Sequence, residues 1–366
     1  MSAVLSCTKC GWSSDLSSAK LTIPRCPRCG SPLTVSLSRL WRPRGRGLVR
    51  YASMIATPPS RDLGEGGTPS IVVEWRGLEV VYKLEHLNPS GSFKDRGAAT
   101  SVSHAEALGA RCVVEDSSGN AGIAVARYAR AAGLRATVYV PADAPKGKKA
   151  ILRLLGAEIV EAPSRSEASR MVWSRAAKGE CYYVDHLSSP FFIEGLRTVA
   201  YEVYEEHGTP DAVIVPFGSG GLFLGIYYGF RDLVELGMER KVPRMYAVQG
   251  ASVAPLYEAV HGKKPLGTSR LADGIRVAEP PRLSEALEAV RSSQGDVVVV
   301  TDDEISAALR ELLDLGLIVE PTSAAAQAAL AKLAERLKDE GVRRVLVPLT
   351  GSGLKMAELL IEVVRP

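Results

Sequence analysis

The chain has 366 residues, 46% of them hydrophobic and 23% charged, with a formal net charge of +4. These values describe an ordinary globular protein long enough for two or three domains with real cores, and so mild a charge demands neither nucleic acid nor an anionic membrane as partner. No apolar run is long enough to span a bilayer and the N-terminus lacks a basic-then-apolar leader, so the expected location is cytoplasmic, with no membrane contact.

Residues 1–38 carry Cys7-Thr-Lys-Cys10-Gly and Cys26-Pro-Arg-Cys29-Gly, with fifteen residues between the pairs. Each pair can close a tight turn that presents two thiolates, and four thiolates suit tetrahedral zinc. The expected metal ligands are therefore Cys7, Cys10, Cys26 and Cys29 of a structural zinc ribbon; a disulfide or a metal-free relic are the alternatives. Cys112 and Cys181 sit in strand-like apolar runs and are expected as inert core thiols, with no secretory context for a disulfide framework. Residues 39–62, rich in Arg, Pro and Gly, read as a solvated linker, because no aromatic stacking surface alternates with their charges.

After the turn-rich stretch Leu63-Gly-Glu-Gly-Gly-Thr-Pro69, strands are expected at 71–75 and 78–84. Helices follow at 97–108, 120–132, 145–155, 166–178, 191–207 and 221–236, alternating with strands at 111–115, 135–140, 158–161, 181–184, 212–216 and 244–249. Late strands at 297–301 and 345–349 flank a helix at 323–338. Such alternation predicts parallel sheets covered by helices, with ligands at the C-terminal ends of the strands.

Four loops carry unusual composition. In Asn88-Pro-Ser-Gly-Ser-Phe-Lys94-Asp-Arg-Gly-Ala98 a lysine stands between a turn and a helix start. Held in a pocket there, it would lose solvation, its pKa would drop, and it would serve as a Schiff-base nucleophile; a solvated ammonium is the plain alternative. Asp116-Ser117-Ser118-Gly119-Asn120-Ala-Gly offers hydroxyls and free N–H groups to a carboxylate, and the Asn120 amide to a phenolate-like oxygen, although ordinary helix capping uses the same residues. Pro216-Phe-Gly218-Ser219-Gly220-Gly221-Leu222 lets several N–H groups converge on one phosphate. It is neither the dinucleotide fingerprint, since Phe223 stands in place of the third glycine, nor a P-loop. In Leu349-Thr350-Gly351-Ser352-Gly353 one hydroxyl can meet a heterocyclic nitrogen without charging it, or simply close a tight turn.

A Schiff-base lysine, a phosphate cradle, a carboxylate loop and a hydroxyl at a strand end together describe pyridoxal phosphate (PLP) chemistry. On these motifs, with Glu320-Pro-Thr-Ser-Ala-Ala in addition, residues 60–360 resemble fold-type II PLP enzymes, and most closely the threonine synthase branch, some members of which carry a zinc ribbon. The resemblance implies two parallel-sheet α/β domains: a large PLP-binding domain of 63–95 with 198–366, and a small mobile domain of 96–197 that closes over substrate. It implies Lys94 as the cofactor lysine and proton shuttle, Asn120 on the 3-hydroxyl, Gly218, Ser219, Gly220, Gly221 and Leu222 around the phosphate, and Thr350 facing the pyridine nitrogen. Ser117, Ser118 and Gly119 would receive the carboxylate of an amino-acid substrate, and a homodimer is expected. The implied reaction converts O-phospho-L-homoserine and water to L-threonine and phosphate. Serine or threonine dehydratases and β-replacement enzymes (cysteine or cysteate synthases) share the cofactor and are the alternatives; a non-catalytic PLP-binding zinc-ribbon protein is a third. The chain departs from the branch at Ala121, at the Gly-Ser-Gly-Gly phosphate loop, at Asp273-Gly-Ile-Arg276, and at Ser189-Pro-Phe-Phe192, where the branch often has polar and basic residues near the substrate phosphate.

Overall fold

The computed structural model describes residues 3–144 and 146–365. The chain divides into two compact units, Met1–Gly67 with Lys94–Thr198 and Thr68–Phe93 with Val199–Pro366. In chain order the elements are β1 (Ala3–Ser6), β2 (Ser13–Asp15), β3 (Thr34–Leu37), β4 (Ser70–Trp75), β5 (Leu78–Lys83), α1 (Lys94–Ala107), β6 (Cys112–Glu115), α2 (Asn120–Ala131), β7 (Arg135–Pro141) and α3 (Lys146–Leu154). There follow β8 (Glu158–Ala162), α4 (Arg165–Ala177), β9 (Tyr182–Tyr183), α5 (Pro190–His207), β10 (Ala212–Pro216), α6 (Gly221–Glu235), β11 (Arg244–Gly250) and α7 (Pro255–His261). The chain ends with α8 (Leu283–Ser292), β12 (Asp296–Val300), α9 (Asp302–Asp314), α10 (Pro321–Asp339), β13 (Arg344–Pro348) and α11 (Ala357–Val364). Pro145, expected as the first residue of a helix, lies outside the described residues.

The first unit contains an antiparallel ribbon, β2-β1-β3, and a four-stranded parallel sheet, β8-β7-β6-β9. The ribbon strands are short and half polar, so its core is a small cluster of Leu5, Cys7, Cys26, Leu33, Val35 and neighbours. In the parallel sheet Val113 pairs with Tyr182. That register sets the preceding residues side by side, and Cys112 and Cys181 form a disulfide. The expectation of two inert thiols is corrected by this pairing; two separate apolar runs give no hint of it until the register is known. The 39–62 stretch is more structured than its composition suggests, with Leu48, Tyr51, Met54 and Ile55 buried and Arg39 paired with the buried Glu194 at 2.8 Å.

The second unit is a six-stranded sheet in the order β12-β11-β10-β13-β5-β4. All its strands are parallel except β4, which pairs antiparallel with β5. Its core joins Val80, Ile214, Tyr246, Val248 and Val347 to the run Ala324, Ala325, Ala326, Ala328 and Ala329 of α10; small side chains let that helix lie close on the strands. Helix α9 opens with a capping box, in which Thr301 accepts from the Glu304 N–H and Glu304 accepts from the Thr301 N–H. Thr301→Ala is expected to cost about 1 kcal/mol, read as a lower midpoint in denaturant unfolding with the rate of turnover unchanged. Among the described residues no helix is long and apolar enough to cross a membrane.

Candidate functional site

The chemistry-bearing residues of the first unit gather at the C-terminal ends of two neighbouring parallel strands, β6 and β9. Lys94 is the first residue of α1. Its ammonium lies over the ring of Phe192 at 5.5 Å from the centroid. That contact depends on Gly97, where a Cβ would come within 2.1 Å of the Phe192 ring. A larger residue one turn along the helix would push the ring away from the lysine.

Next to this lysine stands a pair that the sequence did not single out. Glu115 ends β6 and is fully buried, and its Oε1 lies 2.5 Å from His186 Nδ1. The His186 ring is 6.4 Å from that of Phe192. Burial pushes the Glu115 carboxyl up to about 8, with the nearby Asp185 adding to the shift. Burial and the Lys94 charge hold His186 down to about 4. Glu115 therefore keeps its proton at neutral pH and His186 stays neutral, so the pair carries one proton and no net charge beside Lys94. Asp116 is also pushed up, by burial and by Glu115, and is bonded to the hydroxyls of Ser169 and of Tyr183, the latter at 3.0 Å. Both oxygens of Asp116 are thus engaged by hydroxyls, which ties this acid into a hydrogen-bonded network behind the Glu115–His186 pair. The signal available in the sequence was two acids closing an apolar strand (Val-Val-Glu-Asp); the partner 71 residues away was beyond its reach.

Ser117, Ser118 and Gly119 form the loop from β6 to α2, and Asn120 is the first residue of that helix. The Ser117 hydroxyl accepts from the Gly119 N–H at 3.2 Å. Gly119 caps α2 without a side-chain bond, and the positive end of the helix dipole at this start favours an anion.

In the second unit the phosphate-type loop follows β10 and the Thr350 loop follows β13, and these strands are hydrogen-bonded neighbours. Gly218, Ser219, Gly220, Gly221 and Leu222 thus share one edge of the sheet with Thr350. Gly220 is the N-cap of α6, at a φ of 93° and with no side-chain cap. That left-handed conformation suits glycine and aims the uncapped helix start at whatever occupies the loop. Thr350 is buried, and its hydroxyl lies 3.0 Å from that of Ser323, which also accepts from the Gly351 N–H at 2.9 Å. Ser323 is a supporting residue that the sequence reading missed within Glu320-Pro-Thr-Ser. Phe93, the residue before Lys94, donates its N–H to the Thr350 carbonyl at 3.1 Å.

The four ribbon cysteines converge. Cys7 and Cys29 sulfurs are 3.5 Å apart, as are those of Cys10 and Cys26, and all four lie within 4.8 Å of one another. Tetrahedral zinc with bonds of about 2.3 Å needs sulfurs ~3.8 Å apart, so the four thiols fit the ion. The Ser31 hydroxyl and N–H draw the Cys29 thiol down to about 6, while desolvation and the neighbouring thiols push Cys10 up to about 12.

The family model for "Pyridoxal-phosphate dependent enzyme" matches residues 62–351. The chain is 31% identical to the threonine synthase of Methanocaldococcus jannaschii, over 95% of this chain and 92% of that one. It is 32% identical to the threonine synthase of Methanosarcina acetivorans, over 86% and 81% respectively. Among solved structures, maize serine racemase superposes with a TM-score of 0.70 at 24% identity, covering 81% of this chain and 91% of its own; at that identity the likeness concerns the fold.

Proposed function

Because the chain belongs to the pyridoxal-phosphate dependent enzyme family, in its threonine synthase branch, we propose that it converts O-phospho-L-homoserine and water to L-threonine and phosphate. The observation that carries this reading is 31% identity to a threonine synthase sustained over nearly the whole of both chains. Bound through Lys94, PLP supplies an electron sink for charge developing next to the amine-bearing carbon.

The protein's own residues do the rest. Lys94 holds the cofactor and then moves protons at the substrate carbons. The N–H groups of 218–222 at the start of α6 take the cofactor phosphate, and Asn120 takes its 3-hydroxyl. Ser117, Ser118 and Gly119 bind the substrate carboxylate at the start of α2. The Thr350 hydroxyl, held by Ser323 at 3.0 Å, meets the pyridine nitrogen without enforcing a charge on it, which favours elimination and replacement over transamination. Thr350→Val is expected to weaken cofactor affinity about tenfold, the worth of one buried hydrogen bond, measured by titrating cofactor-free protein with PLP.

Cys7, Cys10, Cys26 and Cys29 hold structural zinc. The enzyme works in the cytoplasm as a homodimer, and the Cys112–Cys181 bridge, with both residues at least 96% buried, is shielded there from the thiol pool. The test is to mix PLP-loaded protein with O-phospho-L-homoserine and follow inorganic phosphate and threonine together. Equal amounts of both support the reading, and neither product sinks it. Phe192, apolar and set against Lys94 where a substrate phosphate would favour a cation, favours a second reading, a serine or threonine dehydratase. Formation of a 2-oxoacid from L-serine or L-threonine is its sign.

A further inference from the structure

The ribbon is attached to a short stretch of its own unit, and that stretch carries the side chains beside Lys94. The Thr22 carbonyl accepts the Tyr183 N–H at 2.8 Å, and the Thr22 hydroxyl donates to the Ala176 carbonyl at 3.0 Å. Arg25, adjacent to Cys26, grips Asp185 with two bonds, Nε to Oδ2 at 2.6 Å and Nη2 to Oδ1 at 3.3 Å. The same guanidinium lies over Trp173 at 5.1 Å. Asp185 is fully buried and has a φ of 48°, a left-handed conformation that a non-glycine residue holds only where its surroundings enforce it. Further along, Phe191 is 1% exposed and belongs to the ribbon's hydrophobic cluster, with Leu5, Cys7, Cys26 and Leu33.

Both ends of the 185–191 stretch are thus fastened to the ribbon. The residues next to those two anchors are His186, bonded to Glu115, and Phe192, beneath the Lys94 ammonium. A ribbon of three strands of three or four residues has too little core to hold its shape alone, and in such modules the metal supplies the folding energy.

We propose that the zinc ribbon is a clamp on residues 185–192: its metal fixes Arg25 and the socket for Phe191, and these place His186 and Phe192 beside Lys94, which sets how the amino-acid substrate is held. The inference rests on reading Lys94 as the cofactor lysine and the four cysteines as zinc ligands. Arg25 is on this account a positioning residue, and the clamp acts on substrate fit, leaving the chemical step to Lys94. A ribbon that only stabilises the fold would lower the melting temperature on metal loss without altering the site.

The test compares hydrogen–deuterium exchange of the full-length holoenzyme before and after zinc is stripped with a chelator, and of the zinc-loaded Arg25→Gln protein. The expected result is that exchange in 183–192 rises about tenfold or more in both cases, with β10 to β13 unchanged. KM for the substrate turned over rises about tenfold while kcat stays within about twofold. Zinc added back reverses the first change and not the second, and Arg25→Lys recovers part of the loss. Unchanged exchange in 183–192 after metal removal, or a lower melting temperature with wild-type exchange and KM, overturns the clamp, as does a wild type that binds no zinc. Should Arg25→Gln fail to fold, the stripped wild type decides alone. Exchange is read without substrate, so failure to turn over O-phospho-L-homoserine defeats only the functional reading.

Discussion

Lys94→Ala is expected to lose the visible absorbance of bound PLP and at least about 10³-fold of turnover, while its far-ultraviolet circular dichroism stays that of the wild type. The lysine opens α1, where alanine is at least as good a helix former, so a folding explanation for the loss is weak. What the substitution removes is the amine set over the Phe192 ring at 5.5 Å, with the neutral Glu115–His186 pair beside it. Absorbance after dialysis against PLP, followed by phosphate release from O-phospho-L-homoserine, reads both effects on one preparation. A variant that kept the band and the rate would remove Lys94 from the chemistry. A wild type with the band and no turnover of any amino acid would favour a protein that binds the cofactor without catalysis.

Much of the architecture was legible because the signals are local. The alternating pattern located β10 over Ala212–Pro216 without error, and brought α2 and α6 to within one residue. Helix α1 begins at Lys94 and not at the expected Gly97, because the turn before it is held from outside: Phe93 donates to Thr350 and Ser92 bridges to Gly351. The ribbon strands escaped notice because they are short and half exposed. Helix α9 also went unread, although Thr301-Asp-Asp-Glu304 is the spacing of a capping box and was available. Three features lay out of reach because each needs a register or a long-range contact: the Cys112–Cys181 bridge, the Glu115–His186 pair and the grip of Arg25 on Asp185. The first two depend on β9 pairing with β6, and β9 is two residues long; the third joins the ribbon to a residue 160 positions away.

The Glu115–His186 pair makes stability depend on pH in a direction opposite to a carboxylate held ionised by a cation, as Glu194 is by Arg197 and Arg39. In the unfolded chain Glu115 releases its proton near 4.5 and His186 near 6.5; folding moves these to about 8 and about 4. From pH 4.5 to 6.5 each state holds one proton, on Glu115 when folded and on His186 when unfolded, so the pair contributes no slope. From 6.5 to 8 the folded pair keeps a proton that the unfolded chain has shed. Stability therefore falls as pH rises, by roughly 2 kcal/mol over that window at 1.36 kcal/mol per unit. Glu115→Gln retains a hydrogen-bonding side chain for His186 but has no proton to lose. Its alkaline fall should vanish, and the lone histidine, its pKa still depressed by burial and Lys94, should instead lose stability as pH drops from 6.5 toward 4. Denaturant midpoints of the cofactor-free wild type and variant at pH 5.5, 7 and 8.5 measure the difference. The other groups around the pair, Asp116, Asp185 with Arg25, and Lys94, are common to both proteins, so parallel curves would assign the alkaline fall to them and remove the proton from Glu115. A fall confined to the wild type means that above pH 8 a negative charge appears beside Lys94, a change in the lysine's surroundings that the variant cannot undergo.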